Sequence, residues 1–222
     1  VELVQVGFDG DQGLAAALDQ GAAGGVGGGH GLDRGEAVGE GFDGDLAEAS
    51  SRMTKTGLTG DGAREILEDL CRKHAFLVDT AAQDNEGTMV TLAPASARQY
   101  EGTNTGKNEV STEFFANVKP LLSNMFTAAQ GYQALVLVRP VGTADGRLMG
   151  SISGLFKPED LVADIIAPQA KAGGFEVNFM QADGMVMYCT DGHNTGKNVL
   201  TDPSFKDYPE LVAQVKKIAE HK

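Results

Sequence analysis

A five-residue stretch with the composition of a phosphate-binding loop occurs twice in the chain. Asn-Thr-Gly-Lys-Asn stands at residues 104–108 and again at residues 194–198. A P-loop needs four residues between its two glycines and a Ser or Thr after the lysine to meet Mg²⁺. Only three residues separate Gly102 from Gly106, an asparagine follows Lys107, and the second copy fails in the same way. The spacing therefore argues against phosphate chemistry.

The histidines, cysteines and serines do not form a catalytic or metal-binding pattern either. The four histidines are isolated, with no H-E-x-x-H or H-x-x-x-H spacing: His30, His74, His193 and His221. Cys71 and Cys189 form no C-x-x-C pair, so they predict neither a zinc site nor a disulfide framework. The G-x-x-x-G stretch at residues 150–154 lacks the spacing of a nucleophile elbow and favours sheet packing. We therefore expect no catalytic residues, no metal and no cofactor.

Composition narrows the class of partner. The 222 residues include 31 acidic and 18 basic side chains, giving a net charge of -13, and 41% are hydrophobic. Nucleic-acid binding needs a basic footprint, and anionic membrane surfaces attract basic segments, so neither partner is expected. The chain has no apolar run long enough for a transmembrane helix, and its acidic start differs from a signal peptide.

Residue patterns separate a glycine-rich start from a patterned remainder. Residues 1–43 are rich in Gly and Ala and predict a segment that is flexible or outside the domain. Residues 44–74 predict helices, the second with apolar residues at the spacing of one helical face: Ala63, Ile66, Leu67, Leu70 and Cys71. Two β-prone runs then flank a turn that begins at Asp84, which predicts a hairpin.

The remaining elements follow in a similar order. A helix over residues 111–124 is expected to be interrupted or kinked at Pro120. Three strands follow up to residue 156, and then a helix with Pro158 in its first turn and Pro168 as its stop. A second hairpin at Asp183 and a last helix complete the chain. Asp84 and Asp183 are interpreted as turn formers rather than catalytic carboxylates.

The repeated pentapeptide belongs to a longer repeat. In an alignment without gaps, Asn104 falls on Asn194, and Thr112 falls on Asp202, both expected N-cap residues. Each copy follows a hairpin and precedes a helix with a buried Phe, which predicts a duplicated unit. Asn and Gly favour turns, so the motif is interpreted as a structural turn. Whether Lys107 or Asn104 also reaches a ligand stays open.

These motifs, in this order, resemble the Cache family of extracytoplasmic, PAS-like sensor domains in histidine kinases and chemoreceptors. The resemblance covers about residues 45–222 and is similar to the double Cache arrangement. It is carried by TGLTGDGAREIL, RPVGTADGRLMGSISGLF, MQADGMVMY and NTGKNVLTDPSFKDYPEL. The implied fold class is α+β, with PAS-like antiparallel sheet modules and a long N-terminal helix.

The resemblance also implies a domain organisation. A complete first PAS-like module would span residues 75–171, and residues 172–222 would start a second module that is truncated at Lys222. Extracytoplasmic location, anchoring to a membrane in the full-length protein and homodimers through the N-terminal helices are implied as well. The output signalling domain of such a receptor would lie outside this chain.

A ligand site follows by the same analogy. The pocket of a PAS-like fold lies on one face of the sheet, here between residues 93–128 and the strands at 132–139 and 147–155. The residues suited to a small polar ligand are Arg98, Tyr100, Tyr132 and Arg139, with Phe126 as a wall. Each has an ordinary alternative, since tyrosines and Phe126 often form core and arginines are often solvated.

We therefore expect a domain that senses a small, unidentified molecule for a histidine kinase or chemoreceptor-type signal transducer. Two alternatives remain. A small-molecule or phosphoester hydrolase would turn over substrate, and a non-sensing dimerisation module would form ligand-independent dimers through the helix near residues 45–74.

Overall fold

The computed structural model describes residues 3–8, 33–165, 176–181, 183–190 and 192–220. The chain divides into two compact units. We call Gly41–Lys157 the sheet unit, and Val1–Glu40 together with Pro158–Lys222 the terminal unit. Helices and mainly antiparallel strands make up both units, which confirms the α+β class. The boundary between the units at Lys157 precedes the one predicted between residues 171 and 172.

Regular structure begins earlier than the sequence patterns indicate. Strand β1 is Leu3–Phe8, and helix α1 is Asp33–Thr56. These parts of residues 1–43 therefore form regular elements rather than the flexible segment that was expected, and residues 9–32 lie outside the described residues. Helix α2, Gly60–Lys73, follows the predicted pattern, because its buried residues are Ala63, Ile66, Leu67 and Leu70.

A six-stranded antiparallel sheet follows the helices in the sheet unit. Its strands are β2 (Leu77–Asp84), β3 (Met89–Ala93), β4 (Leu121–Leu122), β5 (Phe126–Thr127), β6 (Gln133–Gly142) and β7 (Leu148–Phe156). The spatial order is β3-β2-β7-β6-β4, and β5 pairs with β6. The predicted β2–β3 hairpin is confirmed. Asp84 is a turn former as expected, because its Oδ1 accepts from the N–H groups of Glu86 and Thr88 at 3.0 and 2.8 Å.

Helices α1 and α2 pack on one face of this sheet. Phe76 meets Phe42 of α1 and Phe156 of β7 edge to face, with ring centroids 5.4 and 5.7 Å away. Gly154 leaves room for α1, because a Cβ at this position would lie 2.6 Å from Phe42 Cζ. The interpretation of the G-x-x-x-G stretch as a sheet-packing feature is therefore confirmed.

Helix α3, Glu109–Asn117, lies on the other face and is shorter than expected. The expected interruption at Pro120 is present, but it falls earlier and the residues after Pro120 form a strand rather than more helix. The residue before a proline is disfavoured in the helical region. The chain leaves the helix at Val118, which has a φ of 50°, and enters β4. A 3₁₀ helix, Ala95–Tyr100, precedes α3 in the sequence.

The predicted N-cap of α3 also needs correction. Asn108 is the cap, and its Oδ1 accepts from the N–H of Ser111 at 2.7 Å. Thr112 already lies inside the helix, where its hydroxyl donates to the Asn108 carbonyl at 2.8 Å. The second predicted cap is confirmed, because Asp202 Oδ1 accepts from the N–H of Ser204 at 2.8 Å at the start of a short 3₁₀ helix.

The terminal unit contains helix α4 (Pro158–Ile165), strands β8 (Glu176–Gln181) and β9 (Val186–Cys189), and helix α5 (Pro209–Glu220). Strand β8 pairs in parallel with β1 and antiparallel with β9. The buried core of this unit consists of Met180, Val186, Cys189, Val199, Phe205 and Val215. The predicted stop of α4 at Pro168 lies outside the described residues.

Both units contain the same hairpin-plus-turn arrangement. In the sheet unit, the N–H of Thr105 donates to Gly87 O at 2.8 Å, and Asn104 Nδ2 donates to Glu86 O at 2.9 Å. The N–H of Gly106 donates to Asn104 Oδ1 at 3.1 Å. Asn104 therefore holds the turn against the hairpin tip, and these contacts give the motif a structural role.

The equivalent contacts in the terminal unit use the other end of the pentapeptide. Asn198 Nδ2 donates to Asp183 O, and the N–H of Leu200 donates to Asn198 Oδ1, both at 2.9 Å. The N–H of Val199 donates to Gly184 O at 2.8 Å. Asn198, rather than Asn194, is thus the structural counterpart of Asn104. The repeated architecture is present, but the alignment without gaps is shifted by four residues.

Candidate ligand-binding site

Strand β6 shows which side chains lie on each face of the sheet, because successive side chains of a strand point to opposite faces. Arg139 faces α1, where its Nε and Nη2 donate to the two carboxylate oxygens of Asp43 at 2.8 and 2.6 Å. Ala134, Val136 and Val138 face the opposite way and join the cluster that contains residues of α3. We call this second surface the α3 face.

The α3 face carries an apolar cluster with a half-buried margin. The buried members are Val110, Phe114, Ala128, Ala134, Val136, Val138 and Leu155. Four half-buried side chains pack against them: Phe115, Leu121, Phe126 and Tyr132. Small-molecule sites are commonly mostly apolar surfaces with a few polar groups, so this face has a suitable composition.

One carboxylate is buried on the same face. Asp79 of β2 pairs with Leu155 in the sheet and is 5% exposed. The next residue of the strand, Thr80, points to the opposite face, where its hydroxyl donates to Leu67 O of α2. Burial raises the pKa of the Asp79 carboxyl from 3.8 to about 7. A buried carboxylate is costly to keep ionised unless it is paired, so Asp79 is the polar group here that most needs an explanation.

A glutamine amide contacts this carboxylate. Gln130 Nε2 donates to Asp79 Oδ2 at 2.7 Å. Gln130 lies in a tight turn, in which the N–H of Gly131 donates to Ala128 O at 2.8 Å and Gly131 has a φ of 87°. Among the described residues, no lysine, arginine or histidine forms a salt bridge with Asp79. The described contact is therefore between a carboxyl group and a neutral amide.

A cation lies near the margin of the apolar cluster. Lys157 directly follows β7, and its Nζ is 4.8 Å from the centroid of the Tyr132 ring. Tyr132 precedes β6 and comes two residues after Gln130 in the sequence. The end of the β6–β7 pair thus combines an ammonium group, a phenol ring and, on the adjacent strand, a carboxyl group. Such a surface can bind a ligand that carries both a cationic and an anionic group.

The structure brings together two of the five residues that the sequence predicted for the pocket. Phe126 and Tyr132 both pack on the apolar cluster of the α3 face. Tyr100 is half-buried against a separate cluster formed by Ala81, Leu92 and Ala97. The aromatic residues therefore line neighbouring parts of the sheet rather than one compact group.

The two predicted arginines lie apart from this cluster. Arg98 Nη2 donates to Glu68 Oε1 of α2 at 2.8 Å. Arg139 lies on the α1 face, so the prediction of this residue as part of a pocket wall on the α3 face needs correction. Alternation along β6 and the bidentate contact with Asp43 are the physical reasons. Both guanidinium groups are engaged by carboxylates of the N-terminal helices.

Sequence reasoning missed Asp79, Gln130 and Lys157. An aspartate inside a β-prone run was a usable signal, because Asp is depleted from strands and seldom fully buried. Gln130 gave no signal, since its partner lies 51 residues away in sequence. Lys157 gave no signal, because a single lysine next to Pro158 at a predicted helix start is an ordinary surface residue.

Other candidate centres within the described residues have simpler structural accounts. No group of three or more His, Cys, Asp or Glu side chains is placed to hold a metal ion in this part of the chain. Cys71 is a free thiol, and His74 Nε2 is 2.9 Å from Asp45 Oδ2. No helix in the described ranges combines the length and the hydropathy of a membrane span.

Comparison with known structures supports the fold. The chain is 27% identical to an extracellular ligand-binding receptor from Desulfohalobium retbaense DSM5692, with a TM-score of 0.67. The match covers 80% of this chain but 32% of the receptor, so the chain spans about a third of that protein's length.

Two chemoreceptor domains share the fold at lower identity. One is the ligand-binding domain of the Pseudomonas aeruginosa PAO1 amino acid chemoreceptor PctC in complex with GABA (22% identity, TM-score 0.53, 72% of this chain and 70% of that one). The other is the ligand-binding domain of the Pseudomonas fluorescens chemoreceptor CtaA in complex with L-valine (15% identity, TM-score 0.56, 81% and 76%). A comparison with curated protein sequences gave no match.

A family model described as HK/GC/chemotaxis protein-like, sensor domain, matches residues 37–158, which is more than half of the chain. The matched range coincides closely with the sheet unit, Gly41–Lys157. Together with the structural neighbours, this match confirms the resemblance to Cache-type sensor domains of signal-transduction receptors. The chain belongs to the HK/GC/chemotaxis protein-like sensor-domain family.

Proposed function

We propose that this chain senses a small organic molecule outside the cytoplasm and that the ligand binds on the α3 face of the sheet unit. The observation that best supports this proposal is the combination of an apolar cluster with a buried carboxyl group on one face of the sheet. Phe126 and Tyr132 would form the wall, and Asp79 and Lys157 would supply polar recognition. This role needs ligand binding but no chemical turnover.

Amino compounds are the first ligands to test. The PctC and CtaA domains are described in complexes with GABA and L-valine, and each of these compounds carries an ammonium and a carboxylate group. The α3 face offers a carboxyl group at Asp79 and an ammonium group at Lys157. Charge complementarity supports the proposal that a similar class of ligand binds here.

A thermal-shift screen tests this proposed function. Amino acids, free amines and free carboxylates would be added to the whole chain, and a ligand at about 100 times its Kd should stabilise the native state by about 2.7 kcal/mol. Phe126→Ala should weaken the shift because it removes part of the wall. Tyr208→Ala, an exposed aromatic residue in the terminal unit, is the matched control and should leave the shift unchanged. Turnover of esters or phosphoesters without any stabilising ligand would instead support a hydrolase.

The N-terminal helices are the proposed route to the signalling partner. The bidentate contact of Arg139 with Asp43 joins β6 to α1, while the alternate residues of β6 face the ligand side. A shift of β6 on ligand binding would therefore act on α1, and homodimerisation near residues 45–74 would pass the change to a second copy. Sedimentation with and without ligand tests this step, and an unchanged monomer would contradict the dimer proposal.

A further inference from the structure

Several acidic side chains of the sheet unit are held by cationic partners, unlike Asp79. Glu101 is held by Arg64 at 2.9 Å, which lowers the pKa of its carboxyl. Asp43 is held by Arg139, and Asp45 by Lys73 and His74. Asp79 is more deeply buried than these residues, yet the described part of the chain supplies only the amide of Gln130. The most buried of these carboxyl groups thus has the weakest electrostatic compensation.

The Asp79–Gln130 pair borders the apolar cluster of the α3 face. Asp79 lies beside Leu155, a member of the apolar cluster, and Gln130 lies between Ala128 and Tyr132, which pack on the same cluster. The Gln130 backbone belongs to a turn rather than to a strand. Its side chain can therefore rotate away from Asp79 without breaking the hydrogen bonds of the sheet.

We propose that Asp79 is the acceptor for an ammonium group of the ligand, and that the Gln130 amide occupies this position until the ligand displaces it. The inference rests on the proposed function, since it assigns residues to the same binding face. An ammonium group offers three donors and a full positive charge, whereas the Gln130 amide offers polarised N–H groups without net charge. A cationic ligand therefore satisfies the buried carboxylate better than Gln130 does.

The Asp79–Gln130 contact also predicts which ligands are preferred. A ligand with a carboxylate but no amino group would leave the Asp79–Gln130 contact in place and would bring a second negative charge towards it. A ligand with an amino group gains a charge-assisted hydrogen bond in a poorly solvated site, where such bonds are strongest. We expect amines and amino acids to bind in preference to carboxylates of the same shape.

Isothermal titration of the whole chain with matched pairs of probes tests the assignment. L-valine and isovalerate form one pair, and GABA and butyrate form another. For an amino probe that binds the unsubstituted chain, Asp79→Asn should weaken binding on the order of 30-fold or more, because it removes the negative charge but keeps the shape. Thermal melting would show that the variant is folded.

Gln130→Ala distinguishes a displaced occupant from a structural support. Removing the competing amide should tighten binding of the amino probe by roughly 5- to 10-fold. A structural role for Gln130 would weaken binding instead. Gln133→Ala is the matched control, because Gln133 is exposed and donates a hydrogen bond to Thr127 rather than to Asp79. The affinity of this variant for the amino probe should equal that of the unsubstituted chain.

The outcomes separate this inference from the proposed function. If isovalerate or butyrate binds as tightly as its amino partner, or if Asp79→Asn leaves affinity unchanged, the assignment of Asp79 is wrong although ligand sensing stands. Weaker binding to Gln130→Ala overturns the displacement step. If no compound of the wider screen of amino acids, amines and carboxylates binds the unsubstituted chain, the proposed function and this inference fail together.

Discussion

At the residue scale, Asp79 is the side chain whose chemistry departs most from its surroundings. It lies in a buried strand, its carboxyl has a pKa raised to about 7 by burial, and its described side-chain partner is an uncharged amide. Buried charged groups in native proteins are usually paired, and strongly perturbed carboxyl groups often mark functional sites. We therefore propose that Asp79 recognises the ligand, rather than Arg98 and Arg139, which the sequence favoured.

The raised pKa predicts a specific dependence of stability on pH. Because the folded chain holds the Asp79 proton up to about pH 7, the folded state binds more protons than the unfolded state above about pH 4. The contribution of Asp79 to the free energy of unfolding therefore decreases as pH rises from about 4 to 7, by roughly 4 kcal/mol at most. Asp79→Asn should remove this loss and make the variant more stable than the unsubstituted chain at pH 8.

Urea unfolding at pH 5 and pH 8 measures the effect. Comparing the two proteins cancels the contributions of the other carboxyl groups to the pH dependence of stability. Glu101 is one of these, and its lowered pKa makes stability rise with pH. The neighbouring Cys71 thiol does not interfere, because burial raises its pKa from 9.0 and keeps it protonated between pH 5 and pH 8. Parallel pH profiles of the two proteins would contradict the assignment.

At the element scale, the repeated pentapeptide shows that identical sequence need not mean equivalent position. Asn104 and Asn198 make the same contacts to a hairpin tip, although they are the first and last residues of the motif. Hydrogen bonding to the hairpin, rather than residue identity, sets the register. A gapless sequence comparison could not detect this shift.

Alanine substitutions in the second copy test the register. Asn198→Ala should lower the free energy of unfolding of the terminal unit by about 1–2 kcal/mol, because it leaves the Asp183 carbonyl and the Leu200 N–H without their partner. Asn194→Ala is the matched control and should cost less than about 0.5 kcal/mol, since the described contact of the Asn194 side chain is with the flexible end of the half-buried Lys197. Equal costs in denaturant unfolding would contradict the shifted register.

The packing of α1 on the sheet depends on a glycine. Gly154→Ala should destabilise the sheet unit by roughly 1–3 kcal/mol, because the new Cβ would meet the Phe42 ring at 2.6 Å. Gly142→Ala in β6 is the control, since its Cβ would lie 3.5 Å from Arg147 O, an ordinary contact. Thermal melting compares the two variants. If both melt at the same temperature, α1 does not pack on Gly154 as described.

At the scale of the whole molecule, local sequence signals predicted the helices and strands. They did not predict the contacts between residues far apart in the sequence. The apolar face of α2 and the hairpin at Asp84 follow from spacing and turn chemistry, which act over a few residues. The contacts of Asp79 with Gln130 and of Arg139 with Asp43 join residues 51 and 96 positions apart. Such pairs depend on strand order and on which face a side chain occupies, and the sequence patterns leave both undetermined.

The family match and the fold assign the chain to sensor domains, and we propose the α3 face as the ligand site. Hydrogen–deuterium exchange of the whole chain, with and without a saturating amino ligand found in the screen, tests this location most directly. We expect increased protection in residues 79–83 and 126–138, with little change in the terminal unit. Protection confined to the terminal unit, or to the exposed surface of α1 and α2, would contradict it.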